Sequence, residues 1–190
     1  MADVVSVLLD LIAKEHMDTE HMDIYTEFID LLIKQTGTIQ QSVITTSLPV
    51  QLPYAEVEIL AQHLTLQLHA LERRGYSLLF WQPEDIWLVN NTFYLLVNLT
   101  HLVPLRRSQP LQLFLAYPLI LPKTACAPEV LEMTALPFIA HRSCSYYSLA
   151  LLCLQQLNLS LESLQCTKLY YFLERCMKEN PEERRCLQLF

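Results

Sequence analysis

Apolar residues recur along this chain at spacings that change from one segment to the next, and each spacing predicts a different element. Val4, Val7, Leu8, Leu11 and Ile12 form one stripe of helical period, and Ile24, Phe28, Leu31 and Leu32 form a second. The outward faces carry Asp3, Asp10, Glu15, Asp18, Glu20, Asp23, Glu27 and Asp30. This start therefore predicts two amphipathic helices with an acidic face, either solvated or offered to a basic partner. Residues 36–53 are a Thr-, Gln- and Ser-rich connector that closes on Pro49 and Pro53. A third stripe, Val57, Leu60, Ala61, Leu64, Leu68 and Leu71, stops at Gly75, the residue type that most readily takes the left-handed turn after a helix.

Past Gly75 the pattern shortens. Ile86–Val89 and Phe93–Val97 flank Asn90-Asn91, whose tolerance of positive φ suits the tight turn of a hairpin. Residues 98–128 hold five prolines (104, 110, 118, 122 and 128) and predict a long irregular segment. Tyr146 to Leu154 is apolar on all sides, as a helix buried in the middle of a domain would be. Leu169, Leu173, Cys176 and Met177 mark another helix. A last one is predicted to start at Asn180-Pro181-Glu182-Glu183, with Asn180 as cap, proline at the first position and Glu183 at the third. The expected fold is mainly α with one short hairpin. It divides into residues 1–53 (acidic helices and connector) and residues 54–190.

Composition narrows the function. With 190 residues, 52% apolar and 17% charged, the chain suits one ordinary domain and not a disordered one. Its net charge is −7, and eight acids against two lysines place −6 of that in residues 1–35. Such a balance argues against binding nucleic acid. Gly37 and Gly75 are the only glycines, which removes chemistries built on a glycine-rich phosphate loop. Cys126, Cys144, Cys153, Cys166, Cys176 and Cys186 contain no CxxC pair and read as buried free thiols. His16, His21, His63 and His69 read as surface or capping residues, so no metal site and no cofactor are expected. Arg73-Arg74 and Arg106-Arg107 are two isolated basic pairs, explained by helix-end charge and loop solubility. His141, Ser143 and Cys144 are close in sequence, but spacing alone makes no nucleophile–base pair. The richest apolar run, Leu111 to Leu121, is broken by Gln112 and Pro118 and is too short for a membrane span of about 18 residues. Met1-Ala2-Asp3 lacks the cationic start of a secretory signal. No membrane association is expected, and the expected location is cytoplasmic or nuclear, a reducing compartment.

Several strings, in order, resemble the C-terminal lobe of a protein kinase across roughly residues 54–188. GYSLLFWQPEDIWLV, Gly75 to Val89, resembles the catalytic-loop region with its HRD and K-P-E-N elements and following strand. Asn98-Leu99-Thr100 falls at the spacing of DFG, and Ala127-Pro128-Glu129 matches the APE motif. Ser145 to Ala150 (SYYSLA) resembles the start of the central F helix, and Asn180 to Arg184 (NPEER) resembles the D-P-x-x-R element. YYSLALL and TKLYYFLERC are also similar to degenerate kinase-like proteins of large DNA viruses, which would allow a virion-associated location.

The departures from that family bear on chemistry. Phosphoryl transfer needs a carboxylate at the attacking hydroxyl, metal ligands, and cations on the phosphates. Phe80 stands at the position of the HRD aspartate, Gln82 at the loop lysine, Asp85 at the loop asparagine, and Asn98 and Thr100 at the DFG aspartate and glycine. Only 53 residues precede the long helix, with no glycine loop, so no N-lobe is expected. Ser145 replaces the aspartate that braces the catalytic loop, which implies that the brace is lost. The resemblance also implies an ion pair between Glu129 and Arg184. The expected function is a non-catalytic, pseudokinase-type scaffold, similar in kind to the kinase non-catalytic C-lobe domain, which acts on a protein partner or a second copy. Leu78, Leu79, Phe80 and Trp81 form the candidate interface if exposed; otherwise the N-terminal helices cover them. Two alternatives remain: an all-helical structural or virion-associated domain, and an atypical phosphotransferase.

Overall fold

A computed structural model describes residues 4–16, 19–37, 43–106, 112–116 and 121–186. Asp3 and Asp18 of the acidic face, and Arg107, Ser108, Pro110 and Pro118 of the proline-rich stretch, lie outside the described residues, as does everything after Cys186.

Two helices open the chain, α1 (Val4–His16) and α2 (Met22–Thr36). Leu8 and Ile12 of the first are buried, as are Ile24, Tyr25, Phe28, Ile29 and Leu32 of the second, while Asp10, Glu15, Glu20, Asp23 and Asp30 face outward. The acidic face is not wholly solvated. At the end of the long helix α3 (Tyr54–Arg74), Arg74 pairs with Asp23 and donates Nε to Glu27 Oε2 at 2.6 Å, and Arg73 reaches Glu27 Oε1 at 3.1 Å. The two basic residues thus tie α2 to α3 instead of merely capping a helix end. Tyr25 adds a second tie by donating its hydroxyl to Val97 O at 3.1 Å.

All six residues of the α3 stripe are fully buried, and Gly75 follows with φ +85°, a conformation that strains any residue bearing a Cβ. Among the described residues seven strands form two antiparallel sheets: β1 (Thr45–Ser47) precedes α3, and β2 (Tyr76–Leu78), β3 (Ile86–Val89), β4 (Phe93–Leu96), β5 (Leu102–Arg106), β6 (Gln112–Leu115) and β7 (Phe138–His141) follow Gly75. One sheet runs in the order β1-β3-β4, the other β2-β5-β6-β7. The β3–β4 hairpin turns at Asn90 and Asn91, both at φ 51°, as the sequence predicts.

The expected mainly α fold with one hairpin is thereby corrected to α+β, and an all-helical domain is excluded. The stretch 98–128 misled because its prolines outweighed a period-two pattern. Val103 and Leu105 point inward while Pro104 and Arg106 point out, and Leu113 and Leu115 repeat the alternation on β6. Pro104 fits because of register. Leu105 N donates to Gly75 O at 2.8 Å on the β2 side, so the missing N–H of Pro104 falls on the opposite side. There it lies past the last β5–β6 pair, Leu105–Leu113. In the 36–53 connector, Thr45, Thr46 and Ser47 pair with Val89, Leu88 and Trp87 as a polar edge strand.

Three further helices follow: α4 (Pro128–Leu131), α5 (Cys144–Leu157) and α6 (Lys168–Cys176). The predicted last helix shrinks to a single 3-10 turn, Pro181–Glu183, in which Asn180 accepts from Glu182 N. Arg184 leaves that turn in extended conformation, which ends it. Residues of α1, α2, α3, the β3–β4 hairpin, α5 and α6 share one large core. A smaller core of Leu79, Phe80, Val103, Leu105, Leu113, Leu115, Val130 and neighbours packs against the second sheet.

Strand β4 is an edge strand whose outer side lies under α3, so its backbone groups need partners other than water. His63 and Gln67 supply them. Tyr94 N donates to His63 Nδ1 at 3.2 Å, Leu96 N donates to Gln67 Oε1 at 2.8 Å, and Gln67 Nε2 donates to Tyr94 O at 3.0 Å. His63 is therefore a core residue and not the surface or capping histidine expected. Burial pushes its pKa down to about 4, and its lone pair on Nδ1 must stay unprotonated to accept from Tyr94. Gln67→Leu leaves Leu96 N and Tyr94 O buried without partners, at a cost of about 2 kcal/mol, or roughly 4–8 °C in Tm. Differential scanning calorimetry checks this expectation.

Candidate functional site

The segment between β2 and β3, whose sequence resembles a kinase catalytic loop, turns inward. Leu78 is 2% exposed, Leu79 0%, Phe80 1% and Trp81 1%. The four residues form no surface patch, which corrects the candidate interface. The N-terminal helices share a core with only two of them. Leu79 and Phe80 belong to the smaller core, and the Phe80 ring packs on His101 with centroids 4.3 Å apart. Leu78 and Trp81 belong to the larger core.

The loop keeps a brace although the expected aspartate is Ser145. Trp81 N donates to Ser148 Oγ at 2.8 Å, and the Trp81 indole Nε1 donates to Ser145 O at 3.1 Å. Ser77 Oγ also contacts Ser145 Oγ at 3.3 Å. The expectation that the brace is lost fails because a hydroxyl one helical turn further along does the same work. Buried serines in an otherwise apolar helix carry that signal, since a buried hydroxyl requires a partner.

Asp85 ends a 3-10 turn, Pro83–Asp85, and is 5% exposed. Asn98 Nδ2 donates to Asp85 Oδ1 at 2.7 Å, while Asn98 Oδ1 accepts from Thr100 N at 3.0 Å. Both ends of the Asn98 amide are thus spent inside the protein. Burial pushes the Asp85 carboxyl up to about 6, against the lowering effect of the Asn98 bond.

Glu129 and Arg184 meet as a two-pronged pair, with Arg184 Nη1 on Glu129 Oε1 at 2.5 Å and Nη2 on Oε2 at 3.0 Å. The Arg184 side chain is fully buried, whereas that of Glu129 is 23% exposed. Arg184 Nε donates to Lys178 O at 2.8 Å, Nη2 donates also to Glu179 O at 3.3 Å, and the Tyr147 ring lies 4.8 Å away. Ser143 Oγ donates to Pro181 O at 2.7 Å and lies 2.7 Å from His141 Nδ1, so this hydroxyl ties the start of α5 to the terminal turn. Among the described residues no group of three or more His, Cys, Asp or Glu side chains is placed to hold a metal ion. Nor is any helix among them long and apolar enough to cross a membrane. No known family model matches the chain, and no curated protein resembles it in sequence.

Two outcomes are expected. Glu129→Ala strands a buried guanidinium and costs about 3–5 kcal/mol, whereas Glu27→Ala breaks an exposed pair and costs no more than about 1 kcal/mol; chemical denaturation of both variants measures the difference. Asp85 lies above its unfolded pKa of 3.8 when folded, so the folded state holds the proton longer. Stability is then lost as pH rises from about 4 to about 6. Asp85→Asn should match the wild-type Tm near pH 4 and exceed it by about 2–4 °C above pH 7, a gain of about 1 kcal/mol.

Proposed function

We propose that this chain is a non-catalytic scaffold resembling a kinase C-terminal lobe, which works through contacts with a protein partner or a second copy of itself. The observation that carries the reading is the burial of Phe80. At the position where phosphoryl transfer needs a carboxylate beside the substrate hydroxyl, the side chain is an apolar ring packed on His101 inside the protein. Repair by a neighbouring residue is also disfavoured, because Asn98 is spent on Asp85 and Thr100 and Gln82 carries no charge.

The parts of the resemblance that hold a lobe together are present in usable geometry. Glu129 on α4 and Arg184 after the terminal turn are paired, and the loop after β2 is braced by the central helix α5. A scaffold needs those features and a nucleotide site does not follow from them. Because the Leu78–Trp81 run is buried, partner contacts belong elsewhere on the surface. The free thiols of the described cysteines fit a cytoplasmic or nuclear location.

A thermal-shift titration with ATP, with and without Mg²⁺, tests the reading. Specific binding at about 100 Kd would add roughly 2.7 kcal/mol of stability. No shift at millimolar nucleotide is expected; a clear Mg²⁺-dependent rise would overturn the non-catalytic reading. Multi-angle light scattering of the purified chain separates the two kinds of partner: a dimer identifies the second copy, a monomer a different protein.

A further inference from the structure

Each of the two sheets has two outer edges, and three of the four are finished within the chain. The β4 edge is completed by His63 and Gln67 of α3. The β1 edge is three polar residues long, too short and too polar to recruit another strand. On the β2 edge Ser77 and Leu78 are buried, and Ser77 Oγ contacts Ser145 Oγ of α5 at 3.3 Å. The fourth edge, β7, differs. Among the described residues β6 is the only element packed along it. Ile139 in its middle is 46% exposed, and Leu131 and Leu136 just before it are 41% and 37% exposed. Three of the nine exposed large apolar side chains among the described residues thus fall between Leu131 and Ile139, a concentration and not a scatter.

Charge along this stretch says what fits the edge. Glu132 stands before β7 and Arg142 after it, and no residue from Met133 to Ala140 is charged. Glu132 is exposed, and Arg142 keeps 35% of its side chain exposed beside its contact with Glu72 at 3.4 Å. Arg106 adds to the basic end, since Arg106, Gln112 and His141 form one row across β5, β6 and β7. Its guanidinium lies over the Phe114 ring at 3.7 Å, and Phe114 is the cross-strand neighbour of Ile139. A strand of uniform charge meets one matching end and one opposing end. The same strand laid antiparallel to itself matches both, acid against cation at each end and apolar against apolar between.

We propose that the β7 edge is the docking surface for a second copy of this chain, joined antiparallel through β7 about a two-fold axis. The two four-stranded sheets then run on as one, and each edge supplies the main-chain partners that the other lacks. With Ile139 opposite its own copy, the exposed face carries a row of Phe114, Ile139, and the same two residues of the second copy, with Arg106 over the ring at either end. Pro137, which has no N–H, limits the pairing on the side before the strand. The proposal rests on the scaffold reading and names its contact surface.

Sedimentation velocity of the full-length protein, from about 1 to about 100 µM, reads the association, and a dimer with a Kd at or below about 10 µM is expected. Ile139→Lys sets like charges against each other at the centre of the pair and should weaken it at least about tenfold, with Tm unchanged because the side chain is exposed. Ile44→Lys, at a residue 61% exposed beside β1, should leave the dimer as it is. Hydrogen exchange of the wild-type protein needs no substitution: the outward amides within Phe138–His141 should exchange more slowly at the high concentration than at the low one. A monomer throughout the range overturns the proposal and leaves the non-catalytic reading, which the nucleotide titration tests, in place. A dimer that tolerates Ile139→Lys, or whose β7 amides exchange equally at both concentrations, overturns it as well.

Discussion

A guanidinium buried to the last atom sets the terms for the second half of this molecule. Arg184 must find partners for its donors away from water, and it finds them on two separate pieces of chain: the Glu129 carboxylate on α4 and the adjacent carbonyls of Lys178 and Glu179 after α6. The cost of burying the charge is large, and only simultaneous satisfaction of those contacts offsets it. The position of α4 follows from this. It is a helix of four residues, too short to stand on its own hydrogen bonds, and Glu129 docks it. Val130 then fills the smaller core beside Phe80 and Leu113.

The two cores are joined by polar devices more than by a shared apolar face. The serines of α5 hold the loop whose residues alternate between cores, with Leu79 and Phe80 on one side and Leu78 and Trp81 on the other. Within the larger core, His63 and Gln67 complete the ladder of β4 from within α3. A buried helix with leucines alone would have left that strand edge bare. Here helix and strand are joined by specific hydrogen bonds as well as by area, which fixes their register.

The helices were legible in the sequence because each buries one stripe: α1, α2, α3, α5 and α6 all stand where their apolar spacing predicts, and the asparagine turn announces the β3–β4 hairpin. The second sheet was not legible. Pro104 argues locally against a strand, and its tolerance depends on how far β6 extends alongside β5, a tertiary fact. Thr45 to Ser47 carry no apolar signal at all, since an edge strand can be polar on both faces. For the candidate site, the Glu129–Arg184 geometry was anticipated through the kinase-like strings. The fate of Leu78 to Trp81 was not, because an apolar run fits a buried loop and a docking patch equally well. His63 did have a signal: with Gln67 four residues on, it shares the face of Leu60, Leu64 and Leu71, where a surface histidine has no place.

The Glu129–Arg184 pair spans 55 residues of chain. A ribosome adds about 5–20 residues per second, so Glu129 waits roughly 3–11 s for its arginine to be made. During that interval α4, only four residues long, lacks the partner of its carboxylate. The hairpin and the long helix, whose contacts are nearer in sequence, can settle first. The nascent chain thus passes through a stage in which one half is ordered and the other is a candidate for chaperone binding.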